Sequence, residues 1–503
     1  MRRFILIALL IIAVLCASCA RKEIKPHKQE LTHLTILYFN DYHGHIMPFK
    51  AHFNDEHLVG GMARIATIVN GIKRENGEKG IPTLFLCAGD VLQGTPMSTV
   101  FKGEPDFRCL NEIGLNAMVL GNHEFDYGQE NLNKLREMAQ FAILGANVLS
   151  ERGQAPIVKS YYTRNIHGIK VHILGLVTDE TPITTHPRNV KGLVFDDPIT
   201  TAQGILEELD TNDLIIALTH LGYETDKKLA KCAQGIDIII GGHSHTKLER
   251  PVKLENTIIC QAYEYGEFIG RLDLDIENGE IALVTGTLIP VTEDVEEDSA
   301  IKQIVDEYAE KLDESLKQVI GTAVVPLNGE REAVRNEETN LGNLIADVMR
   351  DMGNADVAFI NGGGIRAGID QGDITVEEVL TVLPYENHLV TLRLKGAEIL
   401  TIMNRHAGLE PGDGAFLQVS GLRVEISNGK IAMLSIGGEQ VEMEKPYAIA
   451  TNDFLAAGGD GYETFKNGKD YVDTGLLVSD IVIDYIKTNR EIDAKTEGRI
   501  TEN

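Results

Sequence analysis

Five short segments concentrate side chains able to hold a metal ion or move a proton. They are FNDYHGH, with Asp41, His43 and His45; AGDVLQGTP, with Asp90; GNHEFDYG, with Asn122, His123 and Asp126; LTHLG, with His220; and GGHSHT, with His243 and His245. Each begins where an apolar run ends, so each is expected just beyond the carboxyl end of a strand, where open α/β sheets place their sites. The set offers carboxylates, an amide and several imidazoles but no thiolate, which suits zinc, manganese or iron and not calcium. Taken singly the motifs are weak. An Asp-x-His pair is usually a turn, a Gly-Asp after a strand usually turns or caps the chain, and an isolated His220 would more often be a satisfied core histidine. Five in succession, each after an apolar run, point to metal binding.

The second half supplies the opposite charge. GEREAVR places Arg331 and Arg335 four residues apart, and NGGGIR gives Asn361 and Arg366. Arginine is suited to bidentate binding of phosphate or carboxylate. The chain carries a formal net charge of -28, so an anion can bind only where positive charge is locally concentrated. The same acidity argues against duplex nucleic acid or an anionic membrane as the main partner.

These segments need a scaffold, and 503 residues are too many for one hydrophobic core. Between residue 34 and about residue 290, runs rich in Ile, Val and Leu at 34–38, 83–88, 117–120, 171–176, 214–219 and 236–240 alternate with helical patterns. Runs apolar at every position suit strands covered on both faces, so this part is expected to be a layered α/β domain. Met62, Ile65, Ala66, Val69 and Ile72 mark the buried stripe of a helix between the first two runs. A charged helix is expected over 298–319, capped by Ser299, as the link to a second domain. That domain should contain a helix at 340–350, a strand at 357–360, a helix at 376–382 and a hairpin turning at Asn428-Gly429. The expected boundaries are 31–292, a linker over 293–321, and 322–503.

The amino terminus has an export layout, with Arg2 and Arg3, an apolar run over 4–15, and small residues ending in Ser18-Cys19-Ala20. Residues 1–19 read as a signal peptide and 20–30 as a tether. Cys19 resembles the lipidated cysteine of a lipoprotein box, although Cys16 stands where leucine is usual; cleavage after Ala20 is the alternative. The remaining cysteines, Cys87, Cys109, Cys232 and Cys260, form no Cys-x-x-Cys pair and leave room for one bridge, between Cys232 and Cys260.

In order and content, these motifs resemble the calcineurin-like metallophosphoesterases, and within them the bacterial and ecto-5'-nucleotidases that include periplasmic UDP-sugar hydrolases. The resemblance covers essentially the whole chain after the export segment. It implies a metallophosphoesterase β-sandwich with flanking helices, followed by an α/β substrate-binding domain. It implies two divalent ions, one held by Asp41, His43 and His245 and the other by Asn122, His220 and His243, with Asp90 bridging; His245 stands where some relatives have Gln or Asn. It further implies that His123, oriented by Asp126, acts on the phosphoryl group. LPYEN, with Tyr385 and Asn387, and NDFLAAGGDGY, with Phe454 and Asp460, match segments in which two rings sandwich a nucleobase and a carboxylate binds ribose. Gly414 is a candidate sugar contact. Arg331, Arg335 and Arg366 would serve the phosphate.

The expected activity is cleavage of nucleoside 5'-monophosphates, extending to nucleotide diphosphates or UDP-sugars. A rotating second domain would carry the substrate to the metals, as in relatives. A 2',3'-cyclic phosphodiesterase/3'-nucleotidase and a non-catalytic nucleotide-binding surface lipoprotein are the alternatives.

Overall fold

Strands that are apolar at every position must be covered on both faces, and the first domain does this by stacking two sheets and adding helices outside them. The computed structural model describes residues 31–51, 57–151, 155–210, 213–277, 280–312 and 314–502. The first sheet runs Glu280–Pro290, Phe268–Glu277, Thr32–Phe39, Thr83–Cys87, Ala117–Val119, Ala142–Leu144. Its last four strands are parallel. The second runs Val252–Leu254, Thr257–Cys260, Ile238–Ile240, Leu214–His220, Ile169–Val177, Tyr161–Ile166, with four parallel strands in the middle.

Alternation along these strands builds the layers. In the second sheet Ile173, Ile216, Leu218 and Ile238 join the core shared with the first sheet, while Leu174, Leu176, Ile215, Ala217 and Ile239 face a separate apolar layer. Leu229 and Ala230 of helix Tyr223–Cys232 cover that outer layer. Helix Met62–Glu78 buries Met62, Ile65, Ala66, Val69 and Ile72, the stripe that its spacing predicts. The expected strand at 236–240 is shorter, Ile238–Ile240.

The second domain centres on a five-stranded sheet in the order Leu417–Ser420, Val357–Asn361, Pro446–Asn452, His388–Lys395, Lys469–Leu477. Helix Asn340–Met352 starts at Thr339, whose side chain accepts from the Gly342 N–H, and buries Leu341, Leu344, Ile345 and Val348. Helix Val376–Val382 has a reciprocal capping box between Thr375 and Glu378. The hairpin joining Leu422–Ser427 to Lys430–Ile436 turns at Asn428 and Gly429, with φ of 52° and 67°, the left-handed pair that a two-residue type I′ turn requires.

Two expectations are corrected. The charged helix spans only Ser299–Lys311 and is capped by Asp298, whose side chain accepts from the Ala300 and Ile301 N–H groups, not by Ser299. Its apolar face, Ile301, Val305 and Tyr308, belongs to the core of the first domain. The chain leaves the helix because Leu312 turns extended, and Val319–Ala323 then pairs with Gly372–Thr375 and Glu491–Ile492, so sheet pairing overrides the helical propensity of the preceding residues. The bridge between Cys232 and Cys260 does not form. Cys260 is buried in a strand, Cys232 is exposed at a helix end, and all four described cysteines are free. No helix among the described residues is long and apolar enough to cross a membrane; the export segment with Cys19 and the tether lie outside those residues.

Candidate active site

The parallel strands of both sheets point their carboxyl ends at one place, and the five motifs lie there. Asp41 and His43 follow Thr32–Phe39, Asp90 follows Thr83–Cys87, Asn122 and His123 follow Ala117–Val119, His220 ends Leu214–His220, and His243 and His245 follow Ile238–Ile240. The backbone at Asp41, His43, Asp90, His243 and His245 is left-handed, with φ between 49° and 76°. Non-glycine residues hold that conformation only when their surroundings impose it, and such residues cluster at functional sites.

Three groups of side chains each bring their ligand atoms within 4.8 Å of one another: Asp41, His43 and His245; His43, Asp90 and His123; and Asp90, His220 and His243. Asn122 Oδ1 lies 3.0 Å from His243 Nδ1, beside the third group. His43 is common to the first two groups and Asp90 to the last two, so together they join the ends of the cluster. His45 does not enter it: its ring stacks on Tyr265 at 4.2 Å, and its Nδ1 meets the Tyr42 carbonyl.

The electrostatics call for positive charge. Asp41 and Asp90 are almost fully buried. Burial would raise the Asp90 carboxyl, but His220 and His123 outweigh it and hold it well below the usual range. His220 donates through Nδ1 to the Ala88 carbonyl at 2.7 Å, which turns Nε2 toward Asp90 Oδ2 at 3.0 Å. Burial opposes a charge on His220, yet Asp90 pushes it up to about 10. Burial keeps His43 well below the usual imidazole range, and takes His243 down to about 3 with help from His220, so both present neutral rings. His43 Nδ1 is buried without a hydrogen-bond partner. Buried carboxylates facing the neutral rings of His43 and His243, with His43 Nδ1 left unpaired, fit divalent ions of the zinc, manganese or iron kind.

His123 sits at the edge of this cluster. Its Nδ1 contacts Asp126 Oδ2 at 2.6 Å, and its Nε2 lies 4.0 Å from Asp90 Oδ2. Burial disfavours its charge, but Asp126 and Asp90 raise its pKa above the ordinary value. Asp126 is itself fixed by the Thr185 hydroxyl at 2.6 Å, and its carbonyl accepts from Asn189 Nδ2 at 2.7 Å.

The second domain forms the facing wall. A cleft of about 490 Å³ is lined by Asp90, Asn122, His123, His243 and His245 on one side and by Arg331, Arg335, Asn361, Arg366, Tyr385, Asn387, Gly414, Phe454 and Asp460 on the other. That volume suits a small-molecule ligand. Arg335 Nε and Arg366 Nη2 are buried without partners. Burial, then Arg331 and Arg366, pull Arg335 down to about 9, the signature of cations gathered without an anion. Tyr385 places its ring 6.2 Å from that of His123. Asn361 Nδ2 donates to Asp460 Oδ2 at 2.8 Å, and burial, then Asp413, push the Asp460 carboxyl up to about 7. Gly459 lies against the Phe454 ring so closely that a Cβ there would stand 2.5 Å from it. Gly414 lends its carbonyl to the Gly363 N–H at 2.8 Å.

The domains touch around this cleft. Lys50 Nζ meets Asp370 Oδ2 at 2.7 Å, Thr99 donates to the Pro384 carbonyl at 3.2 Å, and His186 and Arg188 approach Asp453 at 3.4 and 3.7 Å.

Comparison with known proteins agrees with this geometry. Residues 34–247 match the model of the calcineurin-like phosphoesterase domain, and residues 319–467 match that of the 5'-nucleotidase C-terminal domain. A 5'-nucleotidase of Vibrio cholerae is 33% identical over 95% of this chain and 94% of its own length. The chain belongs to the 5'-nucleotidase family of calcineurin-like phosphoesterases. Protein UshA of Escherichia coli is 30% identical over 95% of both chains. A solved 5'-nucleotidase precursor from Thermus thermophilus superposes with a TM-score of 0.86 at 34% identity, over 93% of this chain and 99% of that one. The protein is therefore a metal-dependent phosphoester hydrolase of two α/β domains.

Two residues of this family member's site escape motif reading. Glu124 follows His123 directly, and its buried carboxylate accepts from the N–H groups of Gly121, Val91, Asp90 and Leu92 at 2.6, 2.8, 3.0 and 3.3 Å. It shapes the loops that carry Asp90 and Asn122. Burial, then Asp90, push it up to about 7, against the pull of those N–H groups. A buried acid inside GNHEFDYG is a signal that could have found it. Glu264, which contacts His245 Nδ1 and Arg331, has no such signal in its neighbourhood.

Proposed function

We propose that the chain hydrolyses nucleoside 5'-monophosphates to nucleoside and phosphate with two divalent ions, outside the cytoplasm. The observation that carries this reading is one cleft in which the histidine–aspartate cluster faces two half-buried arginines, each with a buried, unpartnered nitrogen. Asp41, His43 and His245 would hold one ion and Asn122, His220 and His243 the other, with Asp90 shared. Ions there would supply Lewis-acid charge on the phosphoryl oxygens and an activated water at neutral pH.

The protein's own groups do the rest. Arg331, Arg335 and Arg366 hold the phosphate, Tyr385 and Phe454 take the base, Asp460 accepts from the ribose hydroxyls, and Asn387 and Gly414 border the nucleoside. Water adds to phosphorus opposite the P–O5' bond, and that bond breaks as the new P–O bond forms. Asp126 fixes the His123 proton on Nδ1 and stabilises a second on Nε2, which passes to the departing O5'. Nucleotide diphosphates and UDP-sugars fit the same phosphate and base groups. The amino-terminal pattern supports export, with Cys19 as a lipid anchor.

Phosphate release by metal-loaded protein from AMP, ATP, UDP-glucose, 3'-AMP and 2',3'-cyclic AMP tests the substrate assignment. AMP should have the highest kcat/KM among the monophosphates; preference for 3'-AMP or the cyclic substrate would overturn it, and no turnover of any would favour a binding protein.

A further inference from the structure

Glu264 stands where the two walls of the cleft meet. Its Oε2 contacts His245 Nδ1 in the metal-side cluster and, at 3.2 Å, accepts from Arg331 Nη1 of the second domain. An ionised carboxylate only accepts, so His245 must carry its proton on Nδ1. That leaves the Nε2 lone pair facing Asp41 Oδ1 at 3.3 Å and His43 Nε2 at 3.2 Å, the orientation a ligand needs. Arg331 keeps its remaining donors, since its side chain is still 32% exposed.

The backbone is built for this placement. Tyr263 and Tyr265, on either side of Glu264, are left-handed, with φ of 71° and 55°. Their conformation is imposed by the ligand loops: Tyr265 donates through its N–H to the Asp41 carbonyl at 2.7 Å, Asn40 Nδ2 donates to the Tyr263 carbonyl at 2.5 Å, and the Tyr263 N–H reaches the Thr246 carbonyl at 3.3 Å. The segment is thus stitched to the loops of Asp41 and His245 while its side chain reaches the second domain.

We infer that Glu264 is a positioning residue shared by both domains, one carboxylate that orients the His245 imidazole for its metal and the Arg331 guanidinium for the substrate phosphate. The phosphate half rests on the reading of Arg331 given under the proposed function. A carboxylate serving Arg331 alone would leave metal affinity unchanged when removed. One serving His245 alone would leave phosphate affinity unchanged.

The test uses the full chain with Glu264→Ala, Glu264→Gln, Arg331→Ala and the Glu264→Ala/Arg331→Ala pair. Manganese and zinc affinities are read by chelator competition, and inorganic phosphate affinity is read on metal-saturated protein. Glu264→Ala should weaken one metal by about 10–100-fold, and Glu264→Gln, which keeps the shape and an acceptor, should weaken it less but by more than about twofold. Arg331→Ala should weaken phosphate, Glu264→Ala should do so to a similar extent, and the pair should be no weaker than Arg331→Ala alone. Metal affinity within about twofold of wild type in Glu264→Gln overturns the inference, and so do losses of phosphate affinity that multiply in the pair. Glu264→Gln carries the metal arm alone if the alanine variant does not fold. If Arg331→Ala leaves phosphate binding intact, the phosphate half falls with the reading of Arg331, and the metal arm still judges the hold on His245.

Discussion

On the metal-side wall, five of the seven candidate ligands have left-handed backbone, and Asp41, His43 and His220 have no measurable exposure. On the substrate-side wall, among the candidate residues other than glycine, only Asp460 is left-handed, and Arg335 and Arg366 keep unpartnered guanidinium nitrogens. The first wall stores its cost in backbone conformation, of order 1–3 kcal/mol per strained residue, and gains rigid geometry. On the second, the Arg335 and Arg366 nitrogens stay unsatisfied until an anion arrives, while Asn361 and Asp460 already pair with each other. A change on the first wall should therefore damage chemistry and metal retention together, and a change on the second should damage binding.

The largest expected effect tests the first wall at its shared residue. Asp90→Asn should lower kcat by at least about 10³-fold and reduce the metal content of the purified protein, because one carboxylate serves both sites. Activity near wild type, with metal content measured by plasma spectrometry, would remove Asp90 from its role. His123→Asn separates chemistry from metal binding on that wall. It should lower kcat by about 10²–10⁴-fold while metal content stays at the wild-type level. Loss of metal would make His123 a ligand, which its place in the group with His43 and Asp90 makes a pointed alternative.

Much of the first wall was legible because each ligand type directly follows an apolar run, so strand ends and chemistry coincide in the sequence. Glu264 was not legible. Its partners His245 and Arg331 lie 19 and 67 residues away, and only folding brings them together. Thr185, which fixes Asp126 from 59 residues away, was hidden for the same reason. The linker helix misled in another way: residues 312–319 have helical composition, but the strand partners that claim Val319–Ala323 lie at Gly372–Thr375 and Glu491–Ile492. The free state of Cys232 and Cys260 likewise depends on which faces are buried.

The second wall should respond through KM. Phe454→Ala should raise KM for AMP by roughly 5–100-fold, the range expected for losing one stacked base face, with kcat changed far less. A fall in kcat alone would place Phe454 in the core. The smallest effect concerns pH. Asp460, pushed up to about 7 by burial and then by Asp413, is protonated below that pH in the free protein and cannot then accept from both ribose hydroxyls. KM for AMP should rise several-fold as pH falls from about 8 to about 6, and Asp460→Asn should flatten that dependence. A wild-type KM that does not vary over this range would contradict the ribose assignment.

The central claim is that metal ions on one wall and a nucleotide on the other meet at one phosphoester. Anomalous diffraction from crystals loaded with manganese or zinc and a non-hydrolysable nucleoside 5'-phosphonate tests it directly. Two anomalous peaks flanking Asp90, with the phosphonate between them and Arg335 and Arg366 and the base between Tyr385 and Phe454, is the predicted result. A phosphonate bound outside this cleft, or a single metal peak without contact to Asp90, would contradict it.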